Sequence, residues 1–113
     1  MPEPLRGEVW LADLGVARGH EQGGTRPALV LSVDLFNRGP ADLVIVLPFT
    51  SKAKGVRCHV VVDPPEAGLR QRSFIKCEDL RSIAKERLLE RWGGVPSDTM
   101  AEVEDQVRIL LGL

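Results

Sequence analysis

An acid, an amide and an arginine lie close together in the segment Gly19–Pro27, whose sequence is GHEQGGTRP. Its two adjacent glycines allow the backbone to turn and to approach a ligand without obstruction by side chains. Pro27 fixes its own backbone and biases Arg26 toward extended geometry, so we expect the guanidinium at a loop–strand junction. A guanidinium held there can bind a phosphate through two parallel hydrogen bonds. The alternative is a surface loop in which Arg26 only pairs with Glu21.

Hydroxyl and basic side chains follow a second apolar segment and could complete such a site. Thr50 and Ser51 come directly after the run DLVIVLPF, and two lysines follow them. An arginine and a hydroxyl can stabilise the extra negative charge of a phosphorane-like transition state. If the phosphate belongs to RNA, the 2′-hydroxyl of the substrate is itself the nucleophile, and no metal ion is needed. These residues permit a ribonuclease but do not select one.

Other catalytic motifs are absent from the sequence. It has no G-x-S-x-G motif, no P-loop, no dinucleotide-binding fingerprint and no histidine cluster with metal-ligand spacing. The two cysteines, Cys58 and Cys77, are far apart, so we expect free thiols packed in strands, although a disulfide stays open. Zinc binding is not expected, because only His20 and His59 could join these cysteines.

Charge is unevenly distributed along the chain, although the net charge is only −1. Residues 50–76 contain six basic and two acidic side chains, whereas residues 98–113 contain one basic and four acidic. This pattern predicts one cationic face on a near-neutral protein, and the alternative is a set of unrelated solvated charges. Residues 1–6 lack the apolar core of a secretory signal, and no apolar run approaches the ~20 residues of a membrane span, so we expect a cytoplasmic protein.

The elements that must position these residues are mostly short strands. Apolar patterns predict seven of them, and Pro48 is expected to end or bulge the third. The predicted strands cover residues 7–13, 27–34, 42–48, 59–63, 73–77, 80–83 and 88–92.

A single strong helix is predicted after Pro96, at about residues 97–111, with Ser97 or Asp98 as its cap. No segments between the strands are suited to crossover helices, which argues against a parallel α/β fold. The sequence therefore predicts one mainly β domain over residues 1–113, a β-barrel with a C-terminal helix. The apolar stripe of the helix consists of Met100, Val103, Val107, Leu110 and Leu111.

Several motifs in this sequence resemble those of MazF/PemK-type toxins, the ribonuclease partners of type II toxin–antitoxin modules. The similarity spans nearly the whole chain, and the run EQGGTRP is quite specific in this context. The motifs are RGEVW at 6–10, EQGGTRP at 21–27, VLS at 30–32, PFTS at 48–51, GL at 68–69 and RSIAKERL at 81–88.

The resemblance implies an SH3-like barrel of the MazF/PemK/CcdB type that works as a homodimer. It implies a cytoplasmic endoribonuclease that cleaves single-stranded RNA, such as mRNA, at short sequences without a metal ion or another cofactor. The products would carry a 2′,3′-cyclic phosphate and a 5′-hydroxyl. A cognate antitoxin would be a second partner, with its acidic C-terminal segment lying over the groove that binds RNA.

The resemblance also implies, by position in these motifs, that Arg26, Thr50 and Glu21 are catalytic. Arg26 would contact the scissile phosphate and Thr50 would donate to a non-bridging oxygen. Glu21 would orient Arg26 or serve as a base, since a guanidinium pKa above ~12 makes Arg26 a poor base. Further side chains would bind the substrate: His20, Gln22, Ser51, Lys52, Lys54, Arg57, Lys76 and Glu78.

Some of these positions depart from the family pattern. His20 stands where many relatives have a small polar residue, and it could act as an acid or base or be an exposed loop residue. Lys76 and Glu78 lie near an Arg and an Asp that some relatives use in catalysis, but lysine lacks the two-pronged geometry of arginine. The alternative is that Lys76 and Glu78 form a salt-bridged pair on a strand.

Two other functions stay open. One is a gyrase-targeting toxin that shares the barrel but not the RNA chemistry, against which the set Glu21, Arg26 and Thr50 argues. The other is a non-catalytic RNA-binding barrel in which Arg26 and Thr50 bind phosphate without turnover.

Overall fold

An antiparallel sheet and a C-terminal helix dominate residues 3–113, the part of the chain that the computed structural model describes. Met1 and Pro2, which the predicted domain includes, lie outside the described residues. The mainly β fold with a terminal helix is confirmed. The strands are β1 Glu8–Asp13, β2 Thr25–Val30, β3 Leu43–Thr50, β4 His59–Val62, β5 Ser73–Lys76, β6 Arg81–Ala84 and β7 Leu88–Gly94; the helices are α1 Asp34–Asn37 and α2 Ser97–Leu111, and 3₁₀ turns occur at Glu66–Gly68, Cys77–Asp79 and Lys85–Arg87.

Strand β3 organises the sheet because it pairs with three other strands. The sheet order is β4-β5-β3-β2-β1-β7, and β6 also pairs with β3. β6 pairs with Leu43–Val46 and β5 pairs with Phe49–Thr50, so Pro48 lies in the gap between these two partners. The missing N–H of proline is tolerated where one edge of a strand has no ladder partner. The expectation that the strand ends or bulges at Pro48 is therefore wrong, and β3 carries Thr50 as its last residue.

Alternate residues of the central strands face two separate apolar clusters, as the period of a strand requires. Leu29 and Leu47 are partners in the register of β2 and β3 and belong to the cluster that packs against α2. Ala28 and Val46 face the opposite cluster, which includes residues of β6 and β7. Burial on both faces holds β2 and β3 rigid, and the candidate residues Arg26 and Thr50 lie at the ends of these two strands.

The segment after β2 differs from the prediction. β2 ends at Val30 rather than at residue 34, and the chain then forms the short helix α1. Asn37 of α1 is fully buried, and its side-chain amide donates to the carbonyl oxygens of Pro4 at 3.3 Å and Ser32 at 3.1 Å. These hydrogen bonds turn the chain from β2 to β3, and hydropathy alone does not reveal them.

Helix α2 has the predicted bounds but a different cap and a shorter buried stripe. Pro96 occupies the N-cap position, and no side chain caps the helix there. The first three residues of the predicted stripe are buried, whereas Leu110 and Leu111 are 44% and 56% exposed. Within residues 3–113, no helix has the length and apolar character needed to cross a membrane.

Candidate functional site

The loop between β1 and β2 is closed at its base by backbone hydrogen bonds. The Leu14 N–H donates to Gly24 O at 2.9 Å, and the Gly24 N–H donates to Gly15 O at 2.7 Å. Further out, the two sides of the loop touch at Gly23, where an added Cβ would lie 2.5 Å from the backbone nitrogen of Ala17. Only glycine fits this close approach, so the glycine pair seen in the sequence has a steric reason at its first position.

Arg26 is exposed at the start of β2, and its guanidinium is held by the loop that precedes it. Its Nε donates to Gly23 O at 2.9 Å. With the Gln22 amide oriented so that its oxygen faces the guanidinium, that oxygen accepts from Nε at 2.6 Å and from Nη1 at 3.0 Å. No carboxylate of residues 3–113 lies within ion-pair distance of Arg26, so the alternative of a pair with Glu21 is wrong for this structure. Gln22 thus orients the Arg26 guanidinium through hydrogen bonds, and the positive charge stays available to an anionic ligand.

Thr50 ends β3 and presents a hydroxyl from a rigid position. Its register partner is Phe74 of β5, and its side chain is buried. The Oγ1 atom accepts a hydrogen bond from the Lys52 N–H at 3.2 Å. Because an acceptor role uses only a lone pair, the hydroxyl proton remains free for donation.

Two cavities meet at these two side chains, and we call them together the groove. The cavities, of about 220 Å³ and about 290 Å³, share Arg26, Thr50 and Ser51 in their walls. The larger cavity is polar and its remaining walls are formed by Ala17, Glu21, Gln22, Gly23, Lys52 and Lys54. The smaller cavity is more apolar and its remaining walls are formed by Pro27, Phe49, Leu69, Arg70, Gln71, Ser73 and Trp92.

The groove includes residues that sequence reasoning did not select. Trp92 belongs to β7, and Arg70 and Gln71 reach the groove because the turn before them, Glu66–Gly68, packs tightly on this strand. Gly68 in that turn has a φ of +69°, and an added Cβ there would lie 2.6 Å from Trp92 O. The motif GL at 68–69 and the basic charge of Arg70 were the only signals in the sequence for this wall.

The other predicted substrate-binding residues lie apart from the groove. His20 and Arg57 are exposed and form no part of either cavity wall. Lys76 is 3% exposed and points beneath the loop rather than to the surface. Glu78 pairs with His59 of β4, with 2.8 Å between Oε2 and Nε2. The structure thus does not support direct substrate contact by the buried Lys76. The alternative, a salt-bridged pair of Lys76 with Glu78, is also wrong, because Lys76 lies near Asp79 and Glu78 pairs with His59.

Three charged side chains, Lys76, Asp79 and Arg81, bind the backbone of the β1–β2 loop, and we call them the loop anchor. Lys76 Nζ donates to His20 O at 2.7 Å. The Gln22 N–H donates to Asp79 Oδ2 at 2.7 Å, and Arg81 Nη2 donates to Gln22 O at 2.7 Å. Arg81 Nη2 also lies 2.7 Å from Asp79 Oδ2, and Lys76 Nζ lies 3.9 Å from the same oxygen. One carboxylate therefore serves two cations under the loop.

The cysteines lie next to Glu78 and are both free, as predicted. Their predicted placement in strands is wrong, because Cys58 lies in the turn before β4 and Cys77 begins a 3₁₀ turn after β5. Burial raises the pKa of the Cys77 thiol to about 12, with smaller contributions from Cys58 and nearby carboxylates. Burial and the charge of Glu78 also raise the pKa of Cys58, whose Sγ lies 3.5 Å from Glu78 Oε1. Burial acts to raise the pKa of Glu78 itself, but the hydrogen bond with His59 and further contacts outweigh it, so the net shift is downward. A raised pKa keeps a thiol protonated at neutral pH, and the protonated thiol is a poor nucleophile.

Comparison with known proteins gives consistent matches over the whole chain. Residues 5–111 match the family described as PemK-like, MazF-like toxin of type II toxin–antitoxin system. Endoribonuclease EndoA of Bacillus subtilis (strain 168) is 34% identical over 109 residues, which are 96% of this chain and 94% of that protein.

Solved structures show the same fold. MazF from Deinococcus radiodurans has a TM-score of 0.85 and 34% identity, with all of both chains covered. A MazE–MazF complex from Deinococcus radiodurans has a TM-score of 0.81 and 34% identity, covering 100% of this chain and 99% of that chain. An endoribonuclease in complex with its cognate antitoxin from a Mycobacterial species has a TM-score of 0.78 and 26% identity, covering 100% and 97%.

Proposed function

This chain belongs to the PemK-like, MazF-like toxins of type II toxin–antitoxin systems and is an endoribonuclease, and we propose that it cleaves single-stranded RNA at short sequences, without a metal ion, by attack of the 2′-hydroxyl on the adjacent phosphate. One observation carries the proposal: in the described residues 3–113, an exposed guanidinium without a carboxylate partner and a hydroxyl with a free proton line the same groove. Together they supply the positive charge and the donor that a phosphorane-like transition state requires.

Arg26 stabilises the negative charge that develops on the phosphoryl oxygens. Gln22 and Gly23 bind one side of the guanidinium, through Nε and Nη1. Nη2 has no hydrogen-bond partner among residues 3–113, so it is available to a phosphate in the groove. A guanidinium that is already oriented loses little entropy when it binds a phosphate, which favours the transition state.

Thr50 donates its hydroxyl proton to a non-bridging oxygen of the same phosphate. The Lys52 N–H occupies a lone pair of Oγ1 and so directs the proton away from the backbone. Because the Thr50 side chain is buried at the end of a paired strand, this donor is preorganised. Loss of one such donor costs about 10²–10³ in kcat in enzymes that stabilise an oxyanion in this way.

Glu21 acts as the general base for the 2′-hydroxyl. Its side chain lines the polar half of the groove beside Arg26, and no cation of residues 3–113 forms an ion pair with it. Arg26 is unsuited to this role because a guanidinium does not give up its proton in proteins and so cannot accept another. The new bond joins O2′ to phosphorus and the bond from phosphorus to O5′ breaks. Glu21 takes the proton of the 2′-hydroxyl and the 5′-oxygen takes up a proton from water, which gives a 2′,3′-cyclic phosphate and a 5′-hydroxyl.

The RNA backbone follows the groove on both sides of the reacting phosphate. Lys52 and Lys54 line one end and Arg70 lines the other, and all three are exposed. These cations attract phosphates without regard to sequence, whereas Ser51 and Gln71 carry donors and acceptors that can bind base edges. A short recognition sequence follows from the small number of such polar groups along the walls.

An antitoxin and a second copy of this chain are the proposed protein partners, and the cytoplasm is the proposed location. An acidic antitoxin segment would compete with RNA for Lys52, Lys54 and Arg70, since both ligands carry negative charge. The last turn of α2 exposes Ile109, Leu110 and Leu111, an apolar surface of the kind that homodimers cover.

Cleavage of a long single-stranded RNA in EDTA tests the proposal. Wild-type protein, Arg26→Ala and Thr50→Ala are compared with Arg38→Ala, which removes an exposed arginine outside both cavity walls. We expect wild type and Arg38→Ala to cut the RNA in EDTA, with 5′-hydroxyl ends that a polynucleotide kinase labels directly. Arg26→Ala and Thr50→Ala should cut it about 10²–10³-fold more slowly than wild type, as expected for the loss of one such donor.

Three results would contradict the proposal in different ways. RNA that is bound but never cut would indicate the non-catalytic barrel. Cutting only after a divalent cation is added back would exclude the metal-independent mechanism. Equal cutting by Arg26→Ala and wild type would remove Arg26 from the active site.

A further inference from the structure

We propose that the loop anchor, Lys76, Asp79 and Arg81, is a set of positioning residues that fixes Arg26 for catalysis through the backbone of Gln22. The inference rests on the proposed role of Arg26 in the cleavage of RNA. It assigns Lys76 a function beneath the active-site loop in place of direct contact with substrate.

Both backbone polar groups of Gln22 are bound by charged partners. Its N–H donates to Asp79 and its carbonyl oxygen accepts from Arg81, each at 2.7 Å. Hydrogen bonds with one ionised partner are roughly twice as strong as neutral ones. With its amide oriented so that the oxygen faces the guanidinium, the Gln22 side chain accepts from Nε and Nη1 of Arg26. The position of the guanidinium is therefore set by a residue whose own backbone is held at two atoms.

Lys76 completes the anchor from the other side of Glu21. Its ammonium donates to His20 O at 2.7 Å, and its side chain is only 4% exposed. A buried ammonium is costly unless it is paired and hydrogen-bonded, and Asp79 Oδ2 at 3.9 Å supplies the opposite charge. The anchor thus holds the backbone on both sides of Glu21, the proposed base, at His20 O and at both backbone polar groups of Gln22.

The loop needs such an anchor because it has no apolar core of its own. Residues 15–24 are all exposed or half-buried, and none belongs to either apolar cluster. A segment with few buried contacts opens at low free energy unless other interactions hold it. The anchor residues come from β5, the turn after it and β6, which belong to the sheet that also carries Thr50. The anchor therefore links the loop that orients Arg26 to the sheet that carries Thr50.

The test compares Lys76→Met with Lys85→Met in the full-length protein. Lys85 is a matched control because its Nζ also donates to a backbone carbonyl, Asn37 O, at 2.7 Å, and it lies away from the groove. Hydrogen exchange of the Gln22 amide is measured in each variant, together with kcat and KM for an RNA that the wild type cleaves. Asp79→Asn is a second variant, which keeps the side-chain shape if Lys76→Met does not fold.

We expect Lys76→Met and Asp79→Asn to speed exchange of the Gln22 amide and to lower kcat about 10–100-fold with little change in KM, since misplacement by about 1 Å costs on the order of 10²-fold. Lys85→Met should change neither quantity. In an Arg26→Ala background, Lys76→Met should lower the residual rate no further, because residues that act as a unit are not additive.

Equal loss of kcat in Lys76→Met and Lys85→Met, or full additivity with Arg26→Ala, would overturn the positioning role. Unchanged exchange of the Gln22 amide in both anchor variants would overturn it as well. Full activity of Arg26→Ala alone would instead refute the proposed function, and the exchange measurement would still report whether the anchor holds the loop.

Discussion

Replacement of Gly23 by alanine separates the geometry of the active-site loop from the stability of the fold. The added Cβ would lie 2.5 Å from Ala17 N and 2.8 Å from Ala17 Cα, both of which are backbone atoms. Flexible side chains could move aside, but here the two sides of the loop must separate. Gly23 O also accepts the hydrogen bond from Arg26 Nε, so the separation moves an atom that orients the guanidinium.

The size of the effect follows from the overlap. A contact at 2.5 Å must lengthen by about 0.5 Å to reach 3.0 Å, and by about 0.9 Å to reach an ordinary contact of 3.4 Å. Since misplacement by about 1 Å costs on the order of 10²-fold in rate, we expect Gly23→Ala to lower kcat about 10–100-fold. Gly23 lies outside both apolar clusters, so the melting temperature should fall by only a few degrees, as for a loss of about 1 kcal/mol in a domain of this size.

Single-turnover cleavage of RNA, with thermal unfolding in parallel, measures both quantities. Gly19→Ala is the control, because Gly19 is in the same loop with a φ of +57° and open space around its Cβ position. It introduces backbone strain of about 1–2 kcal/mol without a steric clash. If Gly23→Ala cleaves as fast as wild type, or loses no more activity than Gly19→Ala, the close approach of the loop does not position Arg26.

Two further predictions concern the groove and acid stability. The double variant Lys52→Ala/Lys54→Ala should weaken RNA binding and leave kcat at saturating RNA unchanged. The slope of the logarithm of the RNA-binding constant against the logarithm of salt concentration should fall by up to about 1.4. An unaltered slope would show that these lysines do not contact phosphates. Burial acts to raise the pKa of Glu78, but the hydrogen bond with His59 gives a net lowered pKa. The ionised carboxylate therefore stabilises the fold at pH values above its unfolded pKa. This contribution is lost as the pH falls through the folded pKa. Denaturant titrations should therefore show a shallower acid loss of stability in Glu78→Gln than in wild type, and equal slopes would refute the assignment.

The fold was largely predictable because its strands are strongly apolar and short. Each predicted strand corresponds to an observed one, and α2 occupies the predicted residues. The errors occur where tertiary contacts override local pattern. Pro48 stays within β3 because the strand has no partner on one side there. Leu110 and Leu111 continue the helical stripe in sequence but extend beyond the sheet that buries the earlier residues.

The site was predictable where the chemistry lies in a continuous motif. Glu21, Gln22 and Arg26 occur in one run, and the structure brings them to the groove that Thr50 and Ser51 also line. Arg70 and Trp92 were missed because they come from separate segments that meet only through the close packing of Gly68 on β7.

The sequence by itself determined which groups are available: a guanidinium before a proline, a hydroxyl after an apolar strand, and a glycine pair between an acid and the arginine. These depend on residue type and on spacing along a few consecutive positions. Only the tertiary structure decided how the groups are held. Lys76 has the charge of a substrate-binding residue, yet it is buried and bonded to the carbonyl of a residue 56 positions earlier. A charged side chain can bind a ligand when it is exposed, whereas one covered by a loop supports that loop instead. The sheet decides this for Lys76 and Arg81, because it brings β5 and β6 beneath the β1–β2 loop.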